Sequence, residues 1–119
     1  MRKTLAGVVV LAALWGATAA ADAQGRRKTC YENFAGGGCP WSQAISEREL
    51  AKIGCDELAE IRNRTLSENG FCFKNPALRA RYGDNRGCKW PIEALVPLNR
   101  HERQNTAAIK RLERSKRCG

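Results

Sequence analysis

The sequence predicts a mainly α fold, a small disulfide-stapled domain of short helices and long loops with little or no sheet. Three observations predict it. The stretch Cys55–Phe73, CDELAEIRNRTLSENGFCF, sets Leu58, Ile61, Thr65 and Leu66 at helical spacing among charged residues, the pattern of a helix with one buried stripe. Helix start and stop signals recur along the chain, with Ser46–Glu49, Asn75-Pro76 and Asn99–Glu102 as starts and Gly54, Gly70 and Gly83 as stops. Six cysteines stand among 119 residues, enough to staple a core that a short chain cannot make large.

In order, Met1–Ala23 reads as a secretory signal peptide. Arg2 and Lys3 are its charged start, and Leu5–Trp15 is its apolar run, shorter than the roughly 20 residues that span a bilayer. Ala21-Asp22-Ala23 offers small residues for cleavage before Gln24. No transmembrane segment follows, so export to the periplasm or the medium is expected. Residues 24–44 form an N-terminal Gly-rich disulfide loop, and residues 45–119 the helical domain. Gly36-Gly37-Gly38 is a turn, because neither a preceding strand nor a following Lys-Ser/Thr marks a phosphate loop.

Ser46-Glu47-Arg48-Glu49 is a capping box that starts a short helix running to about Lys52. Gly54 turns the chain into the central helix, whose first turn carries Asp56 and Glu57, where negative charge suits the dipole. Asn69-Gly70 ends that helix, since Gly takes the left-handed conformation at little cost. Phe71 and Phe73 then alternate on one side of an extended segment. Asn75 caps a third helix with Pro76 in its first turn, Leu78 and Tyr82 sharing a face and Gly83 closing it. Residues 92–98 are an apolar loop between Pro91 and Pro97. Asn99 and Glu102 start a last helix, reaching about Lys116, with a narrow stripe of Ile109 and Leu112.

All six cysteines, Cys30, Cys39, Cys55, Cys72, Cys88 and Cys118, follow the leader. An even number in an exported chain argues for three disulfides. Without a Cys-x-x-Cys pair, and with His101 the sole histidine, neither metal nor redox chemistry is expected. The central helix, roughly 20 Å long, keeps Cys55 from Cys72, because a disulfide needs Cα atoms within about 7 Å. Cys30 and Cys39 are the natural local pair. If the last helix packs antiparallel to the central one, Cys118 meets Cys55 and leaves Cys72 with Cys88.

Arg62-Asn63 and Asn69-Gly70-Phe71-Cys72-Phe73 carry a family likeness. The stretch resembles the YARHG domain, a small extracytoplasmic bacterial domain with the pattern Arg-Asn-Glu-Ile-Tyr-Ala-Arg-His-Gly-Tyr-x-Phe. Arg62, Asn63, Gly70 and Phe73 match it, and Phe71 stands for its aromatic. Asn75-Pro76, Leu78-Arg79, Tyr82 and Trp90 resemble its later segments, so the likeness runs from about Ile45 to Trp90 and on toward Glu113. Ser67, Glu68 and Asn69 replace its Ala, Arg and His. The resemblance implies a fold and a compartment, and no activity.

No catalytic set is expected. His101 reads as solvated on an early turn of a charged helix, and Asp56 and Glu60 as the wet face of another. Glu57, Glu60 and Glu68 present no pair of the kind that glycoside hydrolysis uses. No cofactor is expected. The chain carries 21 basic and 12 acidic residues, net +9, which attracts polyanions. Arg103, Lys110, Arg111, Arg114 and Arg117 concentrate this surplus late in the chain, with Lys110, Arg114 and Arg117 on one helix face. The expected partner is an anionic envelope component, a lipid headgroup or wall polymer. Nucleic acid is disfavoured, because no aromatic-flanked reading element accompanies the charge. The reading is therefore a non-catalytic binding or structural module of the cell envelope, and the alternative is a small secreted hydrolase or an inhibitor of one. A cleft lined by a buried carboxylate favours the hydrolase, and a basic patch without a cleft favours the binding module.

Overall fold

The structure is a computed structural model that describes residues 28–119. The expected leader and its cleavage site lie outside the described residues. Four helices follow in order, α1 Glu47–Ala51, α2 Cys55–Glu68, α3 Pro76–Arg81 and α4 Arg100–Ser115, with a 3₁₀ turn at Glu93–Leu95. The described residues form no sheet. Two isolated bridges stand in its place, Tyr31 with Gly38 and Phe71 with Trp90.

The sequence signals act where they stand. Ser46 accepts the Glu49 amide at the start of α1. Asn75 accepts the Ala77 and Leu78 amides at the start of α3. Asn99 and Glu102 exchange side-chain and backbone hydrogen bonds at the start of α4. Such caps satisfy amides that the helix cannot, each worth about 1 kcal/mol.

α2 and α4 lie antiparallel. Cys118, just beyond α4, is bonded to Cys55 at the start of α2, while Glu102 in the first turn of α4 accepts a hydrogen bond from Asn69 at the end of α2. The other disulfides are Cys30–Cys39 and Cys72–Cys88, so all three expected pairs form. Their Cα separations are 4.2, 5.5 and 5.2 Å, all within the roughly 7 Å that a disulfide can bridge.

Two apolar clusters divide the domain. The first joins Leu50 of α1, Leu58 and Ile61 of α2 and Ala108 and Ile109 of α4, closed by Phe34 and Ile45 from the N-terminal segment. The second gathers Leu66, Phe73, Tyr82 and Val96, with Phe71, Leu78, Trp90 and Leu98 against it. Each fully buried Leu or Ile contributes roughly 1.5–3 kcal/mol.

Polar groups are buried among them. Glu102 and Asn105 are only 1% and 2% exposed. Glu102 Oε2 accepts from Lys28 Nζ at 3.2 Å and Asn69 Nδ2 at 2.7 Å, and its Oε1 accepts the Asn99 amide. Asn105 ties the N-terminal segment to α4. Its Oδ1 accepts the Ile45 amide at 2.7 Å, and its Nδ2 donates to the Pro40 and Gln43 carbonyls. These partners turn a buried carboxylate and amide from a cost into a fixed register.

Two expectations are corrected. Glu60 is not a free carboxylate on a wet face, because it is half-buried and Arg64, Arg81 and Tyr82 all donate to it, whereas Asp56 is exposed as expected. His101 is partly buried, and its Nδ1 has no partner among the described residues.

Candidate functional site

The candidate site begins at the end of α2. The Phe71 amide donates to Leu66 O and the Gly70 amide to Ser67 O, the paired bonds of a Schellman turn. Gly70 has φ +90°, and a side chain there would meet Trp90 Cδ1 at 3.3 Å. The Gly70 carbonyl accepts two amides, Lys89 at 2.8 Å and Trp90 at 2.9 Å. The Cys72 amide donates to Trp90 O, and the Cys72–Cys88 disulfide locks the same crossing. Asn85 reinforces it by accepting the Phe73 amide and donating to the Phe73 carbonyl. The segment 83–90 is thereby folded back over the last turn of α2.

A cleft of about 420 Å³ opens between the two, lined by Ser67–Phe71, Tyr82, Asn85–Trp90 and Pro97. A second recess of about 390 Å³ shares Ser67, Glu68, Tyr82 and Arg86 with it and adds Thr29, Arg64 and Arg81. The two recesses adjoin along these shared residues.

Its charges are ordered. Glu60 Oε1 takes Nε and Nη2 of Arg64 at 2.9 and 2.5 Å, while Oε2 takes Arg81 Nε at 3.0 Å and the Tyr82 hydroxyl at 2.5 Å. Burial alone would raise the Glu60 pKa, but these donors outweigh it and hold the carboxyl below its ordinary value. The guanidiniums of Arg64 and Arg81 lie 5.4 and 5.9 Å from the centre of the Tyr82 ring, within cation–π range. Glu68 differs. Burial pushes its carboxyl up, despite hydrogen bonds to Oε1 from the Thr29 amide at 2.9 Å and hydroxyl at 2.6 Å. Arg86 and Lys89 stand exposed on the rim.

Glu68 is the sole carboxylate among the residues lining the two recesses. The nearby Glu60 is committed to three donors, so no second carboxylate faces Glu68 as glycoside hydrolysis requires. All six cysteines are in disulfides, and His101 lines neither recess. Among the described residues no group of His, Cys, Asp and Glu could hold a metal. Trp90 and Phe71 form an aromatic wall of the cleft, and Arg86 and Lys89 put positive charge at its rim.

The expected motif residues divide. Gly70 and Phe71 line the cleft. Phe73 is buried beneath it, stacked on Tyr82 at 5.2 Å and edge-on to Phe71 at 4.9 Å. Arg62 and Asn63 lie outside it. Arg62 grips Glu113 of α4 through Nε at 2.7 Å and Nη2 at 2.9 Å and donates Nη1 to Asn63. Ser67, Glu68 and Asn69, the three positions that depart from the pattern, also line the cleft. Sequence reasoning missed Glu68, Arg86 and Lys89 as neighbours. The signal was the Gly83–Gly87 turn between Cys72 and Cys88, which must fold back if those cysteines pair.

The late basic residues are only partly free of acidic partners. Lys110 is paired with Glu93, and Arg111 reaches Glu47 at 2.6 Å. Arg103 Nη1 donates to the Leu98 carbonyl at 2.8 Å. Arg114 and Arg117 are exposed.

Compared with known protein families, the chain matches the YARHG domain over residues 40–114. No curated protein and no solved structure shows a significant match. The matched segment includes α1 to α3 and nearly all of α4, together with the whole Cys72–Trp90 side of the cleft. The domain is extracytoplasmic, and three disulfides with no free thiol fit that placement. No helix among the described residues is long and apolar enough to cross a membrane.

Proposed function

The chain belongs to the YARHG domain family, and from that premise we propose that it is a non-catalytic binding module of the bacterial cell envelope, holding an anionic envelope component in the cleft at the end of α2. The observation that carries this reading is the lining itself. Arg86 and Lys89 stand on the rim of a depression that contains one carboxylate, Glu68, and an aromatic wall, while Arg64 and Arg81 beside it are paired with Glu60. Rigid backbone ties at Gly70 and Cys72–Cys88 hold the site open before any ligand arrives, which lowers the ordering cost of binding.

The test is a titration of the Trp90 fluorescence, in a Trp41→Phe background, with phosphoglycerol oligomers and uronic-acid oligosaccharides. Saturable quenching that weakens from about 0.1 M to about 1 M salt is expected, as the Debye length falls from about 10 to about 3 Å. Arg86→Gln with Lys89→Gln should weaken it. Equal binding by that variant would remove the cleft from consideration.

A second reading rests on Glu68, a carboxyl with a raised pKa in a cleft, which is a general-acid feature. A hydrolase working through it would release reducing ends from envelope glycans and lose that activity in Glu68→Gln. Binding without turnover supports the module.

A further inference from the structure

The segment from Pro91 to Leu98 does not hide its apolar residues. Pro91, Ile92, Ala94, Leu95 and Pro97 are all exposed. Ile92 and Leu95 are 55% and 54% open to solvent, and among the described residues Trp41 is the one other exposed large hydrophobic residue. The exposure is built in. The Leu95 amide donates to Ile92 O at 3.0 Å and the Val96 amide to Glu93 O at 3.1 Å. Val96 is meanwhile buried in the second core. One side chain of the turn is the anchor, and its neighbours are left pointing away from that core.

The turn also sits against the basic face of α4. Glu93 pairs with Lys110, and the Leu98 carbonyl takes Arg103. A groove of about 620 Å³ runs between them, with Ala94, Val96, Leu98 and Ala107 among its walls. Along α4 the spacing Arg103, Ala107, Lys110, Arg114 keeps to one face. Arg103 and Arg114 are exposed there, and Arg117 follows just past the helix. An apolar tip is thus flanked by a cationic stripe.

We propose that the 91–98 turn and this stripe form one contact surface for an anionic lipid bilayer. Ile92 and Leu95 enter the boundary between headgroups and acyl chains, and Arg103, Arg114 and Arg117 meet lipid phosphates. A soluble polyanion uses the stripe alone, because it offers no apolar phase for the tip. A bilayer uses both, the combination that peripheral membrane contacts require. Two apolar side chains bury too little to anchor alone, so the contact is reversible and depends on negative lipid. The cleft adjoins this surface at Pro97, but this inference does not rest on it.

The test is sedimentation of the exported, oxidised protein, its N-terminus fixed by intact mass, with vesicles of phosphatidylglycerol and phosphatidylcholine. Binding to the anionic vesicles and little to pure phosphatidylcholine is expected. Ile92→Ser with Leu95→Ser should weaken it by about tenfold or more, and Arg103→Gln with Arg114→Gln and Arg117→Gln should abolish its salt sensitivity along with most of the affinity. All these side chains are exposed, and the fold of each variant is to be checked by circular dichroism, above all Arg103→Gln, which loses the bond to the Leu98 carbonyl. In Leu95→Trp, a blue shift quenched by brominated lipid reports insertion directly. Ile92→Ser with Leu95→Ser should leave the binding of soluble phosphoglycerol oligomers unchanged, which separates this surface from the cleft. Vesicle binding unaffected by the two serines, no quenching by brominated lipid, or no binding to anionic vesicles at low salt overturns the proposal.

Discussion

At the first half of α2 the core is made by helix faces, with Leu50 of α1, Leu58 and Ile61 of α2 and Ile109 of α4 meeting directly. At its far end the core is made by rings and turns, with Phe73 stacked on Tyr82 and Val96 supplied by a 3₁₀ segment. The first end draws its stability from apolar area, and its disulfides lie at its margins. The second buries four apolar side chains fully and leaves Phe71, Leu78, Trp90 and Leu98 half-buried around them, and it is held as well by the Gly70 carbonyl, the Asn85 amide and the Cys72–Cys88 bridge. The cleft is at the second end. A binding surface is more readily placed where backbone ties, and not close packing, set the shape.

The disulfides test this contrast most strongly. Removing Cys55–Cys118 with paired serines should cost about 4 kcal/mol, and removing Cys72–Cys88 about 3, since the loops closed differ in length. Denaturant midpoints give both values. The smaller loss should nevertheless be the one that disorders the cleft and shifts Trp90 fluorescence. An unchanged Trp90 spectrum without Cys72–Cys88 would mean that the two ends are not held differently.

Gly70→Val comes next. A β-branched residue at φ +90° is strained by about 1–3 kcal/mol, and the 3.3 Å approach to Trp90 adds to it. Thermal melting checks this, and a melting temperature within error of wild type would exclude the turn described here. At the packed end the matching change is Asn105→Ala. It leaves the buried Ile45 amide without its acceptor and should cost about 1–3 kcal/mol. Trp90 fluorescence should be the same before and after it.

The smallest effect has a sign that differs along one helix. The Glu60 carboxyl is held below its ordinary 4.5. Its contribution is present above that pH and is lost as pH falls through the folded value. The Glu68 carboxyl is raised above 4.5. Its contribution is present below that pH and is lost as pH rises through the folded value. Relative to wild type, Glu60→Gln should therefore look worst near neutral pH and improve in acid, whereas Glu68→Gln should do the reverse. Urea melts at about pH 3 and about pH 7 decide it, and parallel shifts for both variants would refute the assignment.

The helices were legible because their signals are local. Ser46, Asn75, Asn99 and Gly70 each act within four residues of where they stand, and Leu58, Ile61 and Leu66 keep helical spacing. The disulfides were legible through one geometric exclusion and one packing assumption. Glu60 was misread because its partners Arg81 and Tyr82 lie far along the chain, where spacing carries no information. His101 was misread because a charged helix can still turn an early residue inward. The cleft depends on segment 83–90 folding back over α2, and only the family likeness at Gly70, Tyr82 and Trp90 hinted that these residues share a place. Lys110 was expected to offer its charge outward, but Glu93 meets it.

The pairing of Cys55 with Cys118 has a consequence for how the chain matures. Joined in the order in which they cross a membrane, six cysteines would pair as 30–39, 55–72 and 88–118. The native bridges are nested, with 72–88 inside 55–118. In a chain oxidised as it is exported, Cys55 finds its native partner only after Cys72 and Cys88 have both become available. Once wound, α2 separates Cys55 from Cys72 by its own length, so a helix formed early would disfavour that wrong pairing. A sequence change that delays its winding, without touching any cysteine, would be paid in scrambled protein and in dependence on disulfide isomerisation.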